Sequence, residues 1–447
     1  MQTPRFATYA AVLVFTGAIG ACGSFDGAAT EDASSAAGVD ETSLHGDRIN
    51  AVSKPAPTAA AGTSIPQTTT TTATTTTTAT TTTTATGSDP SYASGTTASA
   101  SLKALPPGTL ADSGPVVIDG GSGAVVKGRR ISNPNGNCIT VRNGATNVRI
   151  EGNQIGPCSG DGVSVQSGSN GVLAIGNNVS NVGAVAIKVV DARDVKVHNN
   201  FIDGASTAMR AVRSSQVEFE FNGGMNVRGR YPDGQLVQLD NVTGGGNRVR
   251  CNATDLNVGG PDPYSTTSTA DWRTEDIINT WQSRGDPSDP ILIAYNRLKG
   301  GGSFFGSGIM SGDGGGAYIS VVGNRIVNPW NAGIGVAGGS NIRIESNKVF
   351  SEMPASVAGE GFYIRNFYES ACTNIVHQNN QILWPPADWS SSGWVQAFWQ
   401  PQGECTNVTG TSTNNLNATS LDKAIFTEPI AECRTLAAAV GLPTAGY

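Results

Sequence analysis

Asp240, Asp276 and Asp313 are the residues whose type and spacing speak most directly of chemistry. Each lies in or beside a short stretch that is otherwise apolar, and Glu275 adjoins the second of them. Two ionised carboxylates about 5 Å apart repel by roughly 3 kcal/mol at an effective dielectric of about 20. Something must offset that repulsion: a proton that makes an acid and base pair, a cation such as calcium held by Asp240, Asp276 and Asp313, or an arginine brought alongside from Arg210, Arg228 or Arg230. All three describe a site. The plainer alternative is that Asp313, between Gly312 and Gly314, makes a turn and that Glu275 caps a strand.

Two reactions suit this set. Glycoside hydrolysis needs two carboxyl groups flanking the scissile bond, roles open to Asp240, Asp276 and Asp313. Elimination from a uronic acid polymer needs a base for the proton alpha to the carboxylate, and positive charge for the anion that results. Lys188, Arg210, Arg230 and Arg365 are the candidates there. Gln238, Asn279, Tyr363 and Trp272 are candidate substrate contacts, and Trp272 belongs to an insertion with Pro261, Pro263 and Tyr264 that would wall the approach. Exposed indole and phenol faces suit sugar rings. Beyond His45, the chain has only His198 and His377, too few for a histidine-built zinc site or a Ser-His-Asp triad. His377 falls at an inward position and reads as a core residue, whereas His198 faces out.

What must position these residues is a repeat reading apolar, x, apolar, x, x, Asn, x, apolar. It occurs as Val148-Arg149-Ile150-Glu151-Gly152-Asn153-Gln154-Ile155 and again as Val195-Lys196-Val197-His198-Asn199-Asn200-Phe201-Ile202. Further copies put their asparagine at Asn178, Asn222, Asn252, Asn296, Asn324, Asn347 and Asn380. Where no insertion intervenes the period is roughly 22 to 25 residues, that of one solenoid coil. Alternation sends Val and Ile inward, and the asparagine amides can stack from coil to coil as a ladder. A second apolar run follows each copy, as in Gly333-Ile334-Gly335-Val336 and Gly361-Phe362-Tyr363-Ile364.

Outward residues on successive coils then form columns with a spacing of about 4.8 Å. One face collects Lys188, Arg210, Gln238 with Asp240, the run from Glu275 to Asn279, that from Met310 to Asp313, and Tyr363 with Arg365. A slip of one residue in the middle coils would turn any of these into the core. The expected fold is all-β, a parallel β-helix (β-solenoid) with an Asn ladder and short terminal caps, from about Ser101 to Asp112 and from Ala431 to Leu442.

Composition agrees: 57 Gly, 14% charged residues and 5 Met suit short strands and tight turns better than helical bundles. The formal net charge of -7 gives no cationic surface, so nucleic acid is excluded as a partner. Residues 1–21 carry Arg5 and a short apolar stretch, which describes an export signal rather than a membrane span. Residues 22–101 are rich in Ala, Ser and Thr, including a Thr tract from Thr68 to Thr84 broken by Ala73 and Ala79, and read as a disordered tether. Residues 102–447 form the folded domain. An exported chain permits disulfides. Cys138 with Cys158 and Cys372 with Cys405 are the favoured pairs, while the pairing of Cys251 and Cys433 stays open.

Ile19-Gly20-Ala21-Cys22 resembles a bacterial lipoprotein signal. That resemblance implies lipidation of Cys22 and anchoring to a membrane surface, at the outer membrane or cell surface or facing the periplasm. The repeat, over roughly residues 116–415, resembles right-handed parallel β-helix proteins of the pectate lyase-like superfamily, which includes polysaccharide epimerases and other glycan-active enzymes. A narrower likeness is to bacterial β-helix proteins with motifs close to Gln238-Leu239-Asp240 and Glu275-Asp276-Ile277-Ile278-Asn279. The resemblance implies a right-handed coil and a polysaccharide partner. A lyase or epimerase acting on an acidic glycan is the first expectation, a glycoside hydrolase with paired Asp the second. A noncatalytic glycan-binding or adhesin module is the third, so catalysis itself stays open.

Overall fold

A computed structural model describes residues 110–227, 229, 234–255, 274–301, 306–352, 359–368, 371–385, 395–444 and 447. Cys22, Arg228, Arg230 and Trp272 lie outside the described residues, as do the export signal and the tether.

Each coil contributes three strands, and the chain stacks them into three parallel sheets of eleven strands apiece. One coil serves as the pattern. Arg149–Glu151 lies in the third sheet, Gln154–Cys158 in the first and Val163–Val165 in the second. Ile150, Ile155, Val163 and Val165 point inward and are buried. Repeated over the coils, these aliphatic residues form one continuous core, where burial of each full side chain stabilises the fold by about 1.5 to 3 kcal/mol. The fold is a right-handed parallel β-helix.

The asparagines stack as the repeat requires. Asn153, Asn177, Asn200, Asn222 and Asn252 each donate Nδ2 to Oδ1 of the next at 2.9–3.0 Å. Asn296, Asn324, Asn347 and Asn380 continue the series to Asn414. Each amide also donates to a backbone carbonyl of the preceding coil, such as Asn252 to Phe219 at 2.8 Å, so its polar atoms are satisfied without water. One position needs correction: the rung is Asn177, and Asn178 opens the following strand. The doublet is resolved by the core, because Val179 must point inward two residues after the rung.

The residue before each rung must take a left-handed conformation to turn the chain from the third sheet to the first. Gly152, Gly176 and Gly323 do so without steric cost. Phe221, Cys251 and Tyr295 do so on three successive coils with φ of 57–61°. Their side chains project from the corner, and the helix Ala431–Ala439 packs there through Cys433 and Ala437. This corrects the expectation of a C-terminal end cap. The helix lies along the side of the middle coils, because that is where the projecting side chains offer an apolar seat. Before it, Leu421, Ile425 and Phe426 pack on Val327 and Phe350 of the first sheet. At the other end, Ala111–Ser113 is itself a strand of the first sheet.

Disulfides join Cys138 to Cys158, Cys372 to Cys405, and Cys251 to Cys433, as suits an exported protein in an oxidising compartment. Among the described residues, no helix is long and apolar enough to cross a membrane.

Candidate active site

The second sheet supplies the site. Register pairs Ser164 with Lys188, Lys188 with Arg210, Arg210 with Gln238, Gln238 with Asn279 and Asn279 with Met310. Alternate residues in these strands, among them Ile187, Met209, Val237, Leu239 and Ile278, belong to the core. The polar set therefore runs as one outward column. It continues through Gly335, Tyr363 and Trp399.

A neighbouring column holds Asp240, Trp281 and Asp313. Asp313 reaches it through a bulge. Between Asn279 and Trp281 lie two steps of chain, whereas the partners Met310 and Asp313 are three apart. The extra residue turns Asp313 from the core side to the outer side.

Three consecutive coils thus bring the three aspartates to one face, but not as a single triplet. Asp240 accepts from Arg210 Nη2 at 2.8 Å and from Asn241 Nδ2 at 2.8 Å. Asp276 precedes its strand and meets Asp313 through Asn279, whose Nδ2 donates to Asp276 Oδ2 at 2.6 Å and to Asp313 Oδ2 at 2.7 Å. The remaining oxygens are also engaged. Ser307 N donates to Asp276 Oδ1 at 2.6 Å, and the Tyr368 hydroxyl donates to Asp313 Oδ1 at 2.6 Å. Glu275 accepts from Gln235 Nε2 at 3.1 Å, away from the pair. Asp276, Asn279 and Asp313 are all buried.

Aromatic rings surround the pair. Tyr368 stands edge-on to Trp281, centroids 5.7 Å apart. Tyr363 is buried, with its hydroxyl 2.9 Å from Met310 Sδ. Burial, then the negative charge of Asp276, pushes its phenol well above the usual range. Arg365 lies over the rings of Phe367 and Trp399 and is 3.4 Å from Glu404. Glu360, at the start of the Tyr363 strand, is shifted upward by burial. Neither Tyr368 nor Glu360 was marked by the sequence pattern. Tyr368 arrives from the connection after its strand, and Glu360 precedes the apolar run that the repeat marks.

The expected calcium site gains no support from this geometry, since the amide nitrogen of Asn279, a donor, stands between Asp276 and Asp313 where a cation would be held. Among the described residues, ligand atoms of His198, Glu218 and Glu220 on the third sheet lie within 4.8 Å of one another and could hold a metal ion. Lys196 and Arg250 already balance the two glutamates at 3.3 and 2.6 Å.

Two solved structures are among those to which this chain is similar. DFA-IIIase from Arthrobacter chlorophenolicus A6 is 14% identical, with 65% of this chain and 73% of that one covered and a TM-score of 0.39. The catalytic unit of a GH87 alpha-1,3-glucanase from Streptomyces thermodiastaticus strain HF3-3 is 10% identical, with 68% and 65% covered and a TM-score of 0.33. No curated protein sequence matches. Residues 114–268 match the family model described as a right handed beta helix region, in agreement with the coil built above.

Proposed function

We propose that this chain is an exported glycan-hydrolysing enzyme in which Asp276 and Asp313 serve as nucleophile and general acid. The observation that carries this reading is the single amide nitrogen of Asn279 donating to both carboxylates. One nitrogen can reach both only if the facing oxygens lie within about 5 Å, which excludes the wider separation of an inverting pair and suits one carboxyl attacking the sugar while the other protonates the leaving oxygen. Trp281 and Tyr368 beside the pair offer faces for a sugar ring.

Elimination on an acidic glycan is supported less. Arg210 is engaged by Asp240 and Arg365 by Glu404. Lys188 lies three coils from Asn279, about 14 Å at the coil spacing, too far to stabilise charge at the pair. The lipoprotein-like segment ending in Cys22 would hold the enzyme at a membrane surface, with residues 22–101 as its tether.

The test is incubation of the full chain with neutral and acidic polysaccharides, following new reducing ends and unsaturated uronates separately. Hydrolysis releases reducing ends without unsaturation, and Asp276→Asn and Asp313→Asn each slow it by about a hundredfold or more. Unsaturated products, or release that survives both substitutions, would discard this assignment. Retained binding without any release would leave a glycan-binding module.

A further inference from the structure

Three successive residues of the outward column, Arg210, Gln238 and Asn279, carry buried polar atoms that find no hydrogen-bond partner among the described residues. They are Nε of Arg210, both Oε1 and Nε2 of Gln238, and Oδ1 of Asn279. Gln238 is 1% exposed and Asn279 0%. A buried polar group without a partner costs about 1 to 3 kcal/mol. Four such atoms in register on adjacent coils are not scattered imperfections, and together they suit a ligand that would supply the partners the described residues do not.

The chemistry of that partner follows from the atoms. Donors and acceptors alternate along the column, and three of the four belong to neutral amides. A hydroxyl group both donates and accepts, so a row of hydroxyls satisfies such a set whereas a carboxylate, accepting only, cannot. Charge points the same way. The one cation in the row, Arg210, is balanced by Asp240 at 2.8 Å, and Asn279 touches both Asp276 and Asp313. A ligand carboxylate placed there would meet like charges in a dry site.

We infer that Arg210, Gln238 and Asn279 form a subsite for the hydroxyls of a neutral sugar unit, and that the substrate is a neutral glycan rather than a uronic acid polymer. The inference rests on reading the carboxylate pair as a glycan-acting centre, and it names the substrate class for that centre. Gln238 is the specificity residue: it touches sugar and takes no part in proton transfer.

The experiment compares the full chain with its Gln238→Met variant by calorimetric titration with oligosaccharides of neutral hexoses (gluco-, manno- and galacto-) and of uronic acids, alongside thermal unfolding. Methionine keeps the length of the side chain and removes both unpartnered atoms. The expected result is binding of at least one neutral series by the parent, with affinity about tenfold or more lower in the variant and an unfolding temperature equal to or above the parent's. Gln238→Glu, which keeps the shape and loses the donor, gives the same loss and serves if the methionine variant does not fold. Undiminished affinity in the folded variants, tighter binding of uronates than of neutral sugars, or no neutral sugar bound by the parent would each overturn the subsite. Binding that depends on Gln238 without any hydrolysis sinks the catalytic assignment alone. Hydrolysis of uronates indifferent to Gln238 sinks the subsite alone.

Discussion

Asn252 donates its side-chain amide to Oδ1 of Asn296 at 3.0 Å across 44 residues of intervening chain. Ladder geometry is therefore kept even where a coil carries its longest insertion. The rung is fixed from both sides, since Asn252 Oδ1 accepts from both the backbone and side-chain nitrogens of Asn222 at 3.0 Å. Asn252→Ala removes those acceptors inside a dry turn and should destabilise the fold by about 2 to 4 kcal/mol. A shift of the urea midpoint to lower concentration measures it. No shift would mean that the ladder amides are incidental to stability.

His377 gives the solenoid a dependence on pH. Its ring lies in the core, with centroids 4.9 Å from Phe362 and 5.2 Å from Phe398. Nδ1 accepts from Asn414 Nδ2 at 3.0 Å, while Nε2 is buried with no partner among the described residues. Burial lowers the imidazole from 6.5 to about 4. Because the folded value is the lower one, the unfolded chain takes up the proton first as pH falls. The contribution of neutral His377 is complete above 6.5, declines from there to about 4, and is constant below. The span corresponds to about 3 kcal/mol. His377→Leu should flatten that part of the profile, read as the difference in urea midpoint between about pH 7.5 and about pH 4 relative to the parent. Parallel profiles in the two proteins would show that the ring does not titrate in this range.

The coil could be read from sequence because its signals are local. Most rungs are followed two residues later by an inward aliphatic, Asn222 and Asn252 being followed by Gly224 and Thr254 instead, and Val and Ile alternate within single strands. Only the doublet Asn177-Asn178 misled by one place. The site is less legible because its geometry is made between coils. Asp313 faces outward through a bulge that depends on how Ser307–Asp313 pairs with Ile278–Trp281. Asn279 can be picked out as a polar residue for substrate, yet its role as a bridge exists only once Asp276 and Asp313 have been brought to it. The seat of the C-terminal helix depends on left-handed residues, Phe221, Cys251 and Tyr295, that carry no glycine to announce them.

Gly335 makes room for Tyr363. A Cβ on Gly335 would fall 2.2 Å from Tyr363 Cζ and 2.4 Å from its hydroxyl oxygen. Gly335→Ala should therefore push the ring off Met310 and cost about 1 to 3 kcal/mol by overpacking. In the double variant with Tyr363→Leu the clash is gone, and the alanine should then cost less than half as much as it does beside tyrosine. Thermal unfolding of the four proteins in the cycle gives the coupling. Strict additivity would show that the ring moves aside freely.

The helix Ala431–Ala439 spans nine residues, and its N-terminal neighbour Ile430 supplies no side-chain cap. A helix of that length is marginal in water, so its persistence depends on the seat formed by Phe221, Cys251 and Tyr295. The Cys251–Cys433 bond ties it there across a sequence separation of 182. Replacing both cysteines by serine removes the tether and puts two hydroxyls into an apolar contact. The helix should then open at a free energy lower by about 2 to 4 kcal/mol, with the core strands unaffected. Amide hydrogen exchange resolves the two regions: protection should fall between Ala431 and Ala439 and hold at Val249, Ile293 and Val321, which are buried in the third sheet. Equal loss in both regions would mean that the helix and the coils unfold together, and that the bond secures the solenoid rather than the element docked on it.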